Sequence, residues 1–316
     1  MKSTSGLIIA ILCVFAIGCE QPPTPEPIIN NLSDLPENID ELCYFFGYDV
    51  LTRPGIKVPL LAHLKTIRQN RTVAGITVEF RLDGKPINAV VSNCDGDVQL
   101  NWTPPQPGIY KITAHVISVA TKFQLGLLKL PPARLLIAVL PKSTRITVVD
   151  LDSSLISDSM VRARIGQAVP APNSAKVLRE IAKSSAIVYR TSWPGEMISK
   201  TKGWLIETKY PTGPLLLNSD TPIRYDSKLY HPIPLQELRI RFPYMKTGIA
   251  GNFEQIKEFR TCEMVGYWLL RHSRDKSVLV RQNQQLRSLD DDKICPVNNW
   301  EQLGKIIIES NHQKTD

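Results

Sequence analysis

The chain has 316 residues, of which 43% are apolar, 22% charged and 7% aromatic, a composition that excludes collagen-like, coiled-coil and broadly disordered classes. That length suggests about two domains of roughly 150 residues each, and 24 prolines against 17 glycines predict many turns and strand edges. Lys and Arg outnumber Asp and Glu by 38 to 30, and the resulting +8 suits an anionic partner. The charge is spread without a basic arm, so it ranks phosphate, anionic lipid and nucleic acid only weakly as partners; no nucleic-acid partner is expected.

Lys2 precedes an almost wholly apolar run, Leu7 to Ile17, which ends in Gly18-Cys19. The run is too short to span a bilayer, which takes about 20 residues, and residues 1–19 read as an export leader. Ala16-Ile17-Gly18-Cys19 resembles a bacterial lipobox. The resemblance implies lipidation of Cys19, with an ordinary secretory signal as the alternative. Glu20 to Pro27, EQPPTPEP, cannot form helix or sheet ladder because proline fixes φ and removes donors, so residues 20–45 read as tether and linker. A chain anchored this way has the membrane as a partner, each buried CH₂ of its acyl chains contributing about 0.8 kcal/mol. It belongs on the bacterial cell envelope, outside the cytoplasm. An oxidising compartment permits disulfides among Cys43, Cys94, Cys262 and Cys295. Cys262 with Cys295 is the preferred pair, although spacing does not fix connectivity.

Val73 to Leu82 alternates apolar and polar residues, Asp83-Gly84 supplies a tight turn, and Ile87 to Val91 follows as a second strand. Val58, Leu60 and Ala62, then Val98 to Trp102, then Tyr110, Ile112 and Ala114 add further strands. Short strands at this spacing predict a sandwich over residues 46–142. The segments "PGIKVPLLAHL", "GITVEFRLDGKPI" and "DGDVQLNWTPPQPGIYKITA" resemble bacterial immunoglobulin-like domains, which implies a spacer or adhesive module without chemistry. Trp102 and Tyr110 are read as packing residues.

Beyond Pro141 the pattern changes. Ile146 to Val149 is an apolar strand that ends in Asp150-Leu151-Asp152-Ser153-Ser154. In an open parallel sheet ligands bind outside the carboxyl ends of strands. The spacing of Asp150 and Asp152 puts both carboxylates on one side, where one can attack while the other handles a proton; a structural turn is the alternative. Apolar residues at helical spacing, Val177, Leu178 and Ile181, lead to a second strand at Ala186 to Tyr189. A helix with Met197, Ile198, Trp204 and Leu205, a strand-like run from Gly213, a helix with Leu235 and Leu238, and a strand ending at Gly251 complete an alternating α/β pattern.

Four blocks in this order, "VVDLDSSLISDSM", "IVYRTSWP", "YPTGPLLLNSD" and "LQELRIRFP" with "GIAGN", resemble the haloacid dehalogenase superfamily. Within it they are similar to the lipin-like and phosphatidylinositol-transfer-protein-associated domains and to fungal-type phosphatidate phosphatases. The fold so implied is multidomain: an all-β immunoglobulin-like sandwich followed by an α/β, Rossmannoid domain over residues 143–316. The resemblance also implies phosphomonoester hydrolysis with Mg²⁺. Asp150 would be the nucleophile forming an aspartyl-phosphate, and Asp152 the general acid and base. Ser154 keeps a hydroxyl where the family has threonine, Thr191 would bond a phosphoryl oxygen, and Mg²⁺ would lie on Asp150 and the main-chain carbonyl of Asp152.

Two departures bear on activity. "YHPIPLQELRIRFP" puts His231 where the family carries lysine, with Lys228 close enough in sequence to stand in. After the last of these strands the chain reads Gly251-Asn252-Phe253-Glu254-Gln255-Ile256; the family's next aspartate falls near Gln255, and Glu254 is the only carboxylate there. Asn252 is shared with the lipin-like branch. The implied site is therefore Asp150 and Asp152 for catalysis, Ser154, Thr191, Lys228 and His231 for phosphate, and Asp150, Asp152, Asn252 and Glu254 for metal. The substrate class is a phosphorylated small molecule or a lipid phosphate such as phosphatidate. The rival readings are a catalytically degenerate phosphate- or lipid-binding module and an envelope spacer or adhesion protein.

The five histidines lack paired zinc spacing, and no C-x-x-C, P-loop or G-x-S-x-G occurs. Lys246, Lys257, Arg260, Arg271 and Arg274 read as a solvated basic face, with a patch near an anionic membrane or headgroup as the alternative. Val278-Leu279-Val280 is expected as a closing strand and Asp290 to Asp292 as an exposed turn. Trp300, Leu303, Ile306 and Ile307 carry the stripe of a terminal helix.

Overall fold

The computed structural model describes residues 43–66, 73–119, 127–157, 168–218, 227–270 and 276–312. Residues 1–42, on which the expected leader, Cys19 and most of the expected tether fall, and Arg271 and Arg274 lie outside the described residues. Among the described residues no helix is long and apolar enough to cross a membrane.

Residues 43–139 form a two-sheet sandwich. One sheet has the order β1 (Cys43–Gly47), β3 (Val58–Thr66), β6 (Asp97–Trp102), all antiparallel. The other runs β2 (Val50–Thr52), β8 (Ala133–Val139), β7 (Gly108–Ser118), β4 (Thr77–Leu82), β5 (Lys85–Val91), with β2 parallel to β8 and the rest antiparallel. The alternation read from the sequence sets the faces. Val78 and Phe80 of β4 are fully buried, packed with Leu60, Ala62, Leu64, Val98, Ile112 and Ile137 from both sheets, while Glu79 and Arg81 turn outward and pair at 2.5 Å. Asp83 and Gly84 both have positive φ, 49° and 78°, which is the backbone of a two-residue hairpin turn matched to strand twist. The sandwich begins at Cys43, three residues before the expected boundary, because β1 pairs with β3 from Cys43 onward.

The second unit is a six-stranded, wholly parallel sheet. Its order is β11 (Leu215–Leu217), β10 (Ala186–Thr191), β9 (Ile146–Asp150), β12 (Met245–Ala250), β13 (Val265–Leu269), β14 (Ile294–Val297). This is the doubly wound order in which the chain starts at the centre, moves to one edge and returns to build the other. All five residues of β9 are buried, as a central strand covered on both faces requires. Val149, Tyr189, Ile249 and Tyr267 face α2 (Ser174–Ile181), α3 (Ile198–Glu207) and α7 (Trp300–His312). Val148, Val188, Ala250 and Trp268 face α4 (Leu235–Arg241) and α5 (Phe253–Thr261).

Two expectations are corrected here. Val278 to Val280 lie in helix α6 (Lys276–Arg287), which buries no residue, and the closing strand is β14. Proline at 296 is tolerated there because β14 is the sheet edge. Cys262 and Cys295 form no disulfide with each other, being separated by the sheet itself: Cys262 packs in the core on the α4/α5 face and Cys295 against the opposite core. Asp290 and Asp292 are exposed, as expected of the acidic turn, while Asp291 between them is half-buried and pairs with Arg260 at 2.6 Å.

The two units are joined by a buried polar hub. Asp49, 5% exposed, accepts from the backbone N–H of Leu136 at 2.7 Å and of Leu215 at 2.8 Å, and from Lys202 Nζ at 2.6 Å. Lys202 spends its remaining donors on the carbonyls of Gly47 and Arg134. One sandwich carboxylate thus satisfies an otherwise open N–H on edge strand β11, the kind of edge that proteins must cover. Around it Phe46, Tyr48 and Leu61 of the sandwich pack on Ile198 and Leu217.

Candidate active site at the end of the central strand

Chain order reverses between β9 and β12, so the crevice above them is the switch point of the sheet. The turns leaving these two strands meet there. Asp150 closes β9 with extended backbone and caps the single helical turn α1 (Leu151–Ser154), its Oδ2 accepting from the Ser153 N–H at 2.9 Å. Gly251, the first residue after β12, donates its N–H to Ser153 Oγ at 2.9 Å. A Cβ at Gly251 would sit 2.1 Å from the Ser153 carbonyl oxygen, so this approach is open only to glycine.

Asp150 is 1% exposed and points to the α5 side of the sheet. Each of its two oxygens accepts from the protein. Ser153 gives its hydroxyl as well as its N–H to Oδ2, and Gln255 Nε2 donates to Oδ1 at 2.5 Å. Asp152 is held from the end of β10: Thr191 Oγ1 donates to Oδ1, while the N–H of Ser192 (2.7 Å) and its hydroxyl donate to Oδ2. Burial pushes the Asp150 carboxyl up to about 7, reinforced by the charge of Asp152, against the lowering by Ser153 and Gln255. Asp152 is also raised by burial, opposed by its Ser192 and Thr191 bonds.

The structure therefore brings Asp150, Asp152, Ser154 and Thr191 together and disperses the others. Ser154 Oγ donates to the Asp150 main-chain oxygen, a backbone rather than a ligand contact. Lys228 does not stand in for the missing lysine: it pairs with Asp95 of the sandwich at 2.7 Å. His231 is exposed. Asn252 caps α5 by accepting from the Glu254 N–H at 3.0 Å. Glu254, 70% exposed, pairs with Lys257 one turn along the helix at 2.9 Å, because its place in the first turn of α5 points it to solvent.

No protein-family profile matches the chain, and no curated protein matches it. Among solved structures it is similar to the CARDB domain of the PF1109 protein from Pyrococcus furiosus, at 19% identity over 32% of this chain and 92% of that one, with a TM-score of 0.23. The PKD domain of human VPS10 domain-containing receptor SorCS2 is similar at 18% identity over 46% and 98%, TM-score 0.22. Tandem Ig repeats of Dlar follow at 12% over 35% and 60%, also with a TM-score of 0.22. At these scores the similarity carries no argument; the sandwich is defined by its own strand pairing.

Four residues at the site escaped the sequence reading of roles. Ser153 and Ser192 are the polar neighbours of the two aspartates, and Gln255 was legible only as the residue near which a carboxylate was expected. Arg190, opposite Asp150 in the strand register, is 3% exposed and gives Nη1 to both carboxylate oxygens of Glu258 at 2.9 Å. Its place in the apolar run of β10 gave no sign that a buried ion pair would form there.

Proposed function

We propose that the chain is an envelope lipoprotein whose immunoglobulin-like sandwich carries a haloacid-dehalogenase-type α/β domain that keeps the frame of a phosphatase and works as a binding module without turnover. One observation carries this reading. Both oxygens of Asp150 accept from neutral donors of the protein itself, Gln255 on one and Ser153 on the other.

A nucleophilic carboxylate has to be ionised and open to its electrophile. With its pKa raised to about 7 by burial, Asp150 is only about half ionised at neutral pH, and Gln255 and Ser153 already bond its two oxygens. Mg²⁺, which the family resemblance implies, does not fit these residues. Among the described residues no group of three His, Cys, Asp or Glu side chains gathers to hold a metal. An N–H donor faces Asp150 Oδ1, where a cation would need a lone pair, and Glu254 is spent on Lys257. The immunoglobulin-like description of the sandwich is supported by its two sheets of three and five strands, with edge strand β2 parallel to β8. Its envelope location is supported by the lipobox-like Ala16 to Cys19 and the proline-rich tether.

The test is phosphate release with Mg²⁺ from 4-nitrophenyl phosphate and from dispersed phosphatidate, beside Asp150→Asn. The binding module releases no more phosphate than this control. Turnover that disappears in Asp150→Asn would restore the hydrolase reading.

A further inference from the structure

We propose that the groove at the junction of the two units binds a small anionic amphiphile, a single apolar tail ending in a carboxylate or a phosphate. The groove encloses about 360 Å³, within the range of small-ligand pockets. One wall is the outer face of the larger sandwich sheet, with Lys111 on β7 and Arg134 and Leu136 on β8. The other is α3, with Leu205 and Ile206, and the segment before β11, with Tyr210 and Pro211. Ile206 is apolar yet 64% exposed along this wall.

Charge decides the occupant. Lys111 and Arg134 lie on adjacent strands, Lys111 opposite Leu136 and Arg134 opposite Thr113, and both are exposed. Neither has an ion-pair partner among the described residues. The third cation lining the groove, Lys202, is matched by Asp49 at 2.6 Å. Two uncompensated positive heads therefore stand over an apolar lining. Long cationic side chains suit this place, since their stems cover apolar surface while the heads meet an anion. A neutral apolar ligand would leave both heads without a partner, a cationic one would be repelled, and the volume suits one tail rather than the two of a bilayer phospholipid. The groove is also built to stay open. Asp49 and Lys202 fix its walls to each other, and it opens on the face of β10 bearing Tyr189, opposite the face to which Asp150 points. Occupancy is therefore independent of the closed-site reading above.

The experiment is calorimetric titration of dodecanoate, dodecyl phosphate and dodecanol, each below its micelle concentration, into the chain without its 19-residue leader, which retains every described residue. Both anions bind, dodecanol binds at least about tenfold more weakly, and Lys111→Glu/Arg134→Glu weakens the anions by about tenfold or more. Because both side chains are exposed, this variant keeps the wild-type unfolding midpoint. Ile206→Asp, also exposed, weakens both anions. A preference for dodecyl phosphate identifies a phosphorylated lipid as the source, and a preference for dodecanoate a free fatty acid. Equal affinity in wild type and double variant, dodecanol binding as tightly as the anions, or no binding by either anion overturns the proposal.

Discussion

Gln255 donates its side-chain amide to Oδ1 of Asp150 at 2.5 Å, across the crevice between the turns that leave β9 and β12. A carboxylate near this point would share a cation with Asp150; an amide supplies its own proton and removes the need for one. The same bond explains how a carboxylate 1% exposed is tolerated at the centre of the sheet, since buried polar groups persist when hydrogen-bonded.

Burial of Asp150 makes stability depend on pH in a defined direction. Its folded pKa, about 7, lies above the ordinary carboxyl value of 3.8, so the folded state binds the proton more tightly. The contribution is therefore fully present below about pH 4 and is lost as pH rises through about 7. Asp150→Asn, which cannot ionise, should flatten the fall in stability between these limits and leave the variant more stable than wild type at pH 7.5. Urea unfolding at several pH values reads both slopes, and parallel slopes would contradict the assignment.

Gly251→Ala tests the close approach of the two turns. Its Cβ would meet the Ser153 carbonyl at 2.1 Å, backbone against backbone, so the turns have to separate. The expected cost is about 1–3 kcal/mol, the range of overpacking. Gly203, whose Cβ would meet nothing within 4 Å, serves as the control; alanine there lies inside α3 and should be neutral or stabilising. Thermal unfolding of the two variants distinguishes them.

Much of this architecture was legible in the sequence because local chemistry dictated it. The alternation of Val78 and Phe80 with Glu79 and Arg81, and the Asp83-Gly84 turn, give β4 and its hairpin directly. The apolar run before Asp150 marks a strand buried on both faces, and the spacing of Val177, Leu178 and Ile181 marks α2. What failed depended on distant partners. Val278 to Val280 is too short to distinguish helix from strand by pattern alone, and the choice follows from β14 holding the sheet edge. Lys228 and Glu254 are near the site in sequence, yet each is drawn to an opposite charge elsewhere, Asp95 and Lys257. Asp49 carried no signal, because its three partners come from β8, β11 and α3.

Removing that hub should uncouple the two units. Asp49→Ala leaves Lys202 buried without its counter-charge and two backbone donors unpaired, a loss of about 3–5 kcal/mol for breaking a buried ion pair from one side. Leu136 belongs to the sandwich and Leu215 to the α/β sheet, so urea unfolding of the variant should separate into two transitions. A single transition at the wild-type midpoint would show that the apolar contacts of Phe46 and Tyr48 suffice.

The most direct measurement is the Mg²⁺ dependence of the unfolding midpoint in wild type and in Gln255→Asp. Ligands that bind only the folded state raise the midpoint. With Gln255 in place, millimolar Mg²⁺ should leave the wild-type midpoint where it is. Gln255→Asp should be destabilised in the absence of metal, as a third carboxylate crowds Asp150 and Asp152, and Mg²⁺ should restore it. A wild-type midpoint that rises with Mg²⁺, and loses that rise in Asp150→Asn, would contradict the closed site and make Asp150 a metal ligand.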